Sequence, residues 1–68
     1  MYRIEVKGRY NAVVEVEGRA AALWVIAAAK SRNDVALIRI IRGEQSCTFA
    51  FEGGVWIESG QAISQGRV

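Results

Sequence analysis

Sixty-eight residues with a formal charge of +2, one cysteine and no histidine leave room for one domain, and a chain this short buries only about 60% of the surface it exposes when unfolded. A hydrophobic fraction of 51% excludes a disordered chain, and the single cysteine and missing histidine exclude an intramolecular disulfide and the usual zinc ligand sets. Support beyond the core is left to good packing or to self-association. All but two of the nine cations are arginine, a residue suited to planar, bidentate contacts at interfaces.

Met1 leads straight into an alternating pattern, without a charged lead-in, apolar stretch and small-residue cleavage site. The expectation is a soluble protein of the host cytoplasm with no membrane partner. Tyr2, Ile4 and Val6 alternate with Arg3, Glu5 and Lys7, and Ala12, Val14 and Val16 alternate with Val13, Glu15 and Glu17; both are half-buried strand patterns. A one-residue slip would set Asn11 and Glu15 beside Val6 and Tyr2, so the loop must be odd. A three-residue loop, Gly8-Arg9-Tyr10, sets Val6 opposite Ala12, Ile4 opposite Val14 and Tyr2 opposite Val16. On the other face Arg3 then meets Glu15, an attractive cross-strand pair.

Gly18 breaks the second strand and serves as a helix N-cap. The ten residues Ala20 to Ala29 that follow carry no polar side chain, far short of the roughly 20 needed to span a bilayer. A helix is expected from about Arg19 to Arg32, ended by Asn33-Asp34. Two apolar stripes emerge at 100° per residue. Ala20, Leu23, Trp24 and Ala27 are expected to cover the sheet, because a tryptophan buries the most apolar area. Ala22, Val25, Ile26 and Ala29 are then left as a self-association surface, suited to a homodimer face that resembles a core cut in half.

Val35 to Arg42, Ser46 to Glu52 and Val55 to Glu58 read as three further strands, with turn signals at 42–45 and 52–54. A four-residue loop sets Ile38 opposite Phe49 and Ile40 opposite Cys47. A three-residue loop ending in Gly54 sets Phe51 opposite Val55 and Phe49 opposite Ile57. The expected core of this half is Ala36, Ile38, Ile40, Cys47, Phe49, Phe51, Val55 and Ile57. Val35, Leu37, Ile41, Ala50 and Trp56 are sent outward, with Leu37, Ala50 and Trp56 in one row and Arg39, Thr48 and Glu58 in the next. An open sheet face bearing such residues is an interaction patch.

The expected fold class is α+β: an antiparallel sheet of four to five strands in the order β-β-α-β-β-β with one helix packed on one face. Residues 1–58 form the single domain and 59–68 a loose C-terminal tail.

Chemistry is scarce. Without histidine the commonest general base and metal ligand is missing, and Cys47 has no base to activate it; it reads as a small buried hydrophobe. Gly53-Gly54 and Gly8 lack the helix-leading spacing that cradles phosphate. Glu15 and Glu17 read as part of a solvated ion-pair ladder with Arg3. No enzyme activity, cofactor or metal is expected. Single-stranded nucleic acid is the alternative partner: Arg3, Lys7 and Arg9 lie near one strand and turn, with Arg39, Arg42 and Trp56 further along the sheet, and such groups stack bases. Glu5, Glu15, Glu17 and Glu58 interleave with those cations.

The element order over residues 1–58, with the passage AVVEVEGRAAAL (Ala12 to Leu23) from strand into Ala-rich helix, resembles that of small anti-CRISPR proteins of phages and mobile elements. The resemblance implies a non-enzymatic inhibitor that docks sterically on a nucleic-acid-bearing bacterial defence complex and blocks access of its nucleic acid. No motif residue is carried over from that family, and the slight basicity departs from its acidic, DNA-mimicking members. From the residues themselves, the expected partner-binding set is Trp56, Leu37, Arg39 and Val13 on the open face, with Arg3, Lys7 and Arg9. A homo-oligomeric assembly protein is the third reading.

Overall fold

The computed structural model describes residues 1–60. The elements are β1 (Tyr2–Gly8), β2 (Ala12–Val16), α1 (Arg19–Lys30), β3 (Val35–Arg42), β4 (Gln45–Glu52) and β5 (Val55–Gly60). They make an α+β domain with one open, five-stranded antiparallel sheet in the order β2-β1-β3-β4-β5. Helix formation between the hairpins follows from the run of alanines. The helix starts at Gly18, extended at φ −103° and ψ 157° with no side-chain cap, and its first turn holds no acidic residue. It closes at Ser31, whose hydroxyl donates to the Ala28 carbonyl at 2.7 Å. Arg32, expected as the last helical residue, lies beyond the end and pairs with Asp34 instead.

Alternation sets the sheet's two faces. Tyr2, Ile4, Ile38, Ile40, Cys47 and Phe49 join Ala22, Ile26 and Ala29 of α1 and Val35 in one buried cluster. The first hairpin has the expected register, with Tyr2 opposite Val16, Ile4 opposite Val14 and Val6 opposite Ala12. So does the β3–β4 pair, with Ile38 opposite Phe49 and Ile40 opposite Cys47. In both, only one parity keeps the polar residues off the core face.

Three facing assignments differ from expectation. The β4–β5 loop has two residues, not three: Gly53 and Gly54 both take positive φ, 60° and 85°. This is the left-handed pair that a tight hairpin turn demands and glycine supplies at no steric cost. Phe51 therefore faces Trp56, Ala50 faces Ile57 and Phe49 faces Glu58, and a shift of one residue turns the whole strand over. Trp56 moves to the core face, while Val55 and Ile57, expected inside, are 58% and 47% exposed. The strand also continues through Ser59 and Gly60, past the expected end at Glu58; the rest of the expected tail, 61–68, lies outside the described residues.

The helix is rotated from expectation. Ala22, Ile26 and Ala29 are buried, and Val25 together with Leu23, the one member of the expected stripe to do so, packs partly against the core, whereas Trp24 is 72% exposed. The stripe assigned to self-association is thus the one that meets the sheet. The sheet's core face already carries Tyr2, three isoleucines and Phe49, so short side chains at Ala22 and Ala29 let the helix backbone approach closely while Ile26 fills the space between. A tryptophan there would hold the helix off.

The third change is at the start of β3. The pairing slips between Lys7 and Gly8, so Gly8 lies opposite Val35. Val35 is buried at 8% and Ala36 is exposed, the reverse of the expected order. Gly8 is required at this crossing, because a Cβ on it would fall 2.1 Å from the Asp34 carbonyl oxygen.

Candidate functional site

On the face opposite the buried cluster, strand pairing lines up Val13, Glu5, Arg39, Thr48 and Ser59 in one row across all five strands. The next row holds Lys7, Leu37, Ala50 and Ile57. This second face has two halves of different chemistry.

Over β2, β1 and β3 it is a ladder of charge. Glu5, half-buried, is the hub: one carboxylate oxygen accepts from Arg3 Nε at 3.3 Å and the other lies 3.6 Å from Arg39 Nη1. Arg3 extends to Glu15 on β2 at 3.7 Å, the cross-strand pair anticipated from the register. Both arginine side chains are about half exposed, so each link contributes about 0 to 1 kcal/mol and is screened by salt. The ladder's effect is to spend Arg3 and Arg39 on the face's own carboxylates, while Lys7 lies outside it.

Over β3, β4 and β5 the face carries one apolar strip, beside the row of Thr48 and Ser59. Leu37 and Ala50 are half-buried and lead to Ile57 and then Val55 at the exposed edge of the sheet. Neither Val55 nor Ile57 was expected there. The Gly53-Gly54 dipeptide was the sequence signal for the two-residue turn that puts them there.

The expected binding residues are therefore only partly assembled. Arg3, Arg39, Lys7, Val13 and Leu37 share the second face. Arg9 lies in the β1–β2 turn, where its backbone N–H donates to the Asp34 carbonyl at 2.9 Å and its guanidinium sits 5.9 Å from the Tyr10 ring. Trp56 is on the other face, against Phe51, with ring centroids 5.2 Å apart. There the sheet extends past the helix, which packs chiefly over β1, β2 and β3. Phe51 and Trp56 line a cleft of about 280 Å³ together with Lys30, Ser31, Arg32, Asn33 and Val35. Lys30 spans its inner end, with Nζ 4.1 Å from the Phe49 ring centroid, a cation–π contact. Arg32 is held by a two-pronged bond to Asp34 at 2.9 and 2.8 Å. Those bonds keep the Asp34 carboxyl below its ordinary range.

A larger cleft of about 350 Å³ lies on the other side of the helix C-terminus, lined mainly by Val6, Tyr10, Ala12, Val25, Ala28 and Val35. Cys47, 1% exposed, donates from Sγ to a Glu58 carboxylate oxygen at 3.2 Å, so Glu58 belongs with Cys47 and Phe49, not with Arg39. Among the described residues no group of three or more acidic, cysteine or histidine side chains is placed to hold a metal ion. No helix among them is long and apolar enough to cross a membrane. Compared with protein-family models, curated proteins and solved structures, the chain matches none of them significantly.

Proposed function

We propose that the chain is a small, non-enzymatic protein-binding module that docks through the second face of its sheet. The observation that carries this reading is the apolar strip of that face, where Val55 and Ile57 stay 58% and 47% exposed on a preformed surface continuous with Leu37 and Ala50. The matching partner is a protein with an apolar patch bordered by mixed charge: Val55, Ile57 and Leu37 act as anchors while the Arg3–Glu5–Arg39 ladder fixes register at the rim. Because the ladder is internally neutralised, it offers no excess of either sign to a polyanion.

In its most specific form the partner is a nucleic-acid-guided bacterial defence complex, blocked sterically, an idea supported by the element order and the strand-to-helix passage. The test is the plating efficiency of a targeted phage on a strain with an active system and expressing the chain. Wild type should raise plating and retain one protein assembly from nuclease-treated lysate; the double variant Val55→Asp/Ile57→Asp should do neither. Failure of wild type on both counts, or full activity of the double variant, overturns the reading.

A second reading is favoured by one observation, the clustering of Trp56 and Phe51 with Lys30 and Arg32 in the 280 Å³ cleft. Single-stranded nucleic acid would stack a base there instead of on the open face, with phosphate near Lys30. Its affinity would fall steeply with salt and with Trp56→Ala. An oligonucleotide titration showing no salt-sensitive binding removes it.

A further inference from the structure

Among the described residues β5 is one of the two edges of the sheet, and its backbone groups alternate in direction. The two-residue Gly53-Gly54 turn makes Glu52 and Val55 a hydrogen-bonded pair, so the alternation of an antiparallel ladder commits Val55, Ile57 and Ser59 to β4. Trp56, between them, turns its N–H and C=O outward, and neither has a backbone partner among the described residues.

Apolar side chains flank this edge on both sides of the sheet. Val55 and Ile57 are exposed on the second face, and Phe51, 47% exposed, stands beside half-buried Trp56 on the other. A flat patch laid on the second face covers only the first pair. An extended strand, whose side chains alternate between faces, covers both pairs and bonds to the Trp56 backbone as well. The stretch Val55 to Ile57 has no lysine, proline or bulge, the devices that ordinarily blunt an edge. The opposite edge, β2, is shorter and bears Glu15. We propose that a protein partner docks by adding an extended segment of alternating apolar and basic residues to the edge of β5 as a sixth strand. This rests on the protein-binding reading above and names the part of the partner that is engaged.

Charge selects the segment. No lysine or arginine lies between Arg42 and Gly60, whereas Glu44, Glu52 and Glu58 do. Glu52 pairs with Val55 and shares its face, while Glu58 pairs with Phe49 and shares the other, so the edge is acidic on both sides. Lys30 reaches only to the Phe49 ring on β4, one strand in from the edge. A basic side chain set beside Glu58 also lies next to the Trp56 ring, where cation–π attraction adds to the ion pair. The same carboxylates oppose a second copy of β5, which would bring two acidic edges together. Ladder bonds then give affinity and the alternate side chains give specificity.

The probe is a capped peptide of alternating lysine and valine, with a glutamate–valine peptide as control. By NMR amide exchange, the lysine–valine peptide is expected to slow exchange at the Trp56 N–H, and the control to leave it fast. Chemical synthesis of the chain with the Trp56 backbone nitrogen methylated removes the outward donor without touching a bond inside the sheet. Its circular dichroism spectrum should match wild type, and its affinity for the peptide should fall about tenfold or more. No binding, or binding that leaves the Trp56 amide exchanging freely, overturns strand addition. Equal or tighter binding of the control overturns the basic segment, and protection that grows with protein concentration alone assigns the edge to a second copy instead. If the methylated chain still retains an assembly from nuclease-treated lysate while Val55→Asp/Ile57→Asp does not, docking on the face stands and strand addition falls.

Discussion

Phe51 and Trp56 face each other across the β4–β5 hairpin, with ring centroids 5.2 Å apart and planes inclined at 54°. The contact exists only because the loop has two residues; a three-residue loop would put Val55 in that place. Removing either ring alone should weaken the hairpin, and a double-mutant cycle on Phe51→Ala and Trp56→Ala should return a coupling of about 0.5–1.5 kcal/mol. Chemical denaturation of the four proteins measures it. A coupling of zero would contradict the register.

The turn makes its own demand. Gly53→Val and Gly54→Val place branched side chains at φ 60° and 85°, with an expected loss of about 1–2 kcal/mol each. Gly8→Ala should cost more than either, because its Cβ meets backbone, the Asp34 carbonyl oxygen at 2.1 Å and Val35 Cα at 2.8 Å, and backbone cannot swing aside. Thermal melts of the three variants order these effects.

Gly18→Asp should stabilise the protein. Gly18 has the extended backbone of an N-cap, nothing lies within 4 Å of a Cβ there, and the first helical turn has no acid. A carboxylate supplies the missing cap and meets the helix dipole, with an expected gain of about 1 kcal/mol. The midpoint of urea unfolding should move upward with an unchanged slope.

The helix rotation predicts opposite outcomes for neighbouring apolar residues. Ile26, 4% exposed, should lose about 2–5 kcal/mol on replacement by alanine, enough to threaten folding of so small a domain. Trp24→Ala should leave stability nearly unchanged. Urea unfolding of the two variants checks the pair.

Asp34 gives a pH dependence. Its carboxyl is held below its ordinary value chiefly by the Arg32 hydrogen bonds, partly opposed by desolvation. A lowered folded-state pKa means the pair's contribution is fully present above the unfolded value of about 3.9. That contribution is lost as pH falls through the lower folded value. Wild type should therefore melt above Asp34→Asn at neutral pH, and the two curves should converge under strongly acidic conditions. The gap should also shrink with salt, as befits an exposed pair.

What the amino-acid order alone determined was the set of elements and the register of two strand pairs. In β1–β2 and β3–β4, polar residues such as Asn11, Glu15, Arg39 and Thr48 allow one parity only, because the other would bury them. That same logic located Arg3 opposite Glu15 and placed Arg39, Leu37 and Val13 on the second face. It failed where polarity stopped discriminating. β5 offers Val55 and Ile57 on one side and Trp56 on the other, so either face could be inside, and the choice fell to the backbone freedom of Gly53-Gly54. The helix is apolar all round between Arg19 and Lys30, so its rotation was decided by shape: Ala22 and Ala29 fit against a sheet already filled by Ile4, Ile38 and Ile40, and Trp24 does not. Tertiary packing thus chose which apolar groups were left to solvent, Trp24 on the helix and Val55 and Ile57 on the sheet, and the last two carry the proposed docking.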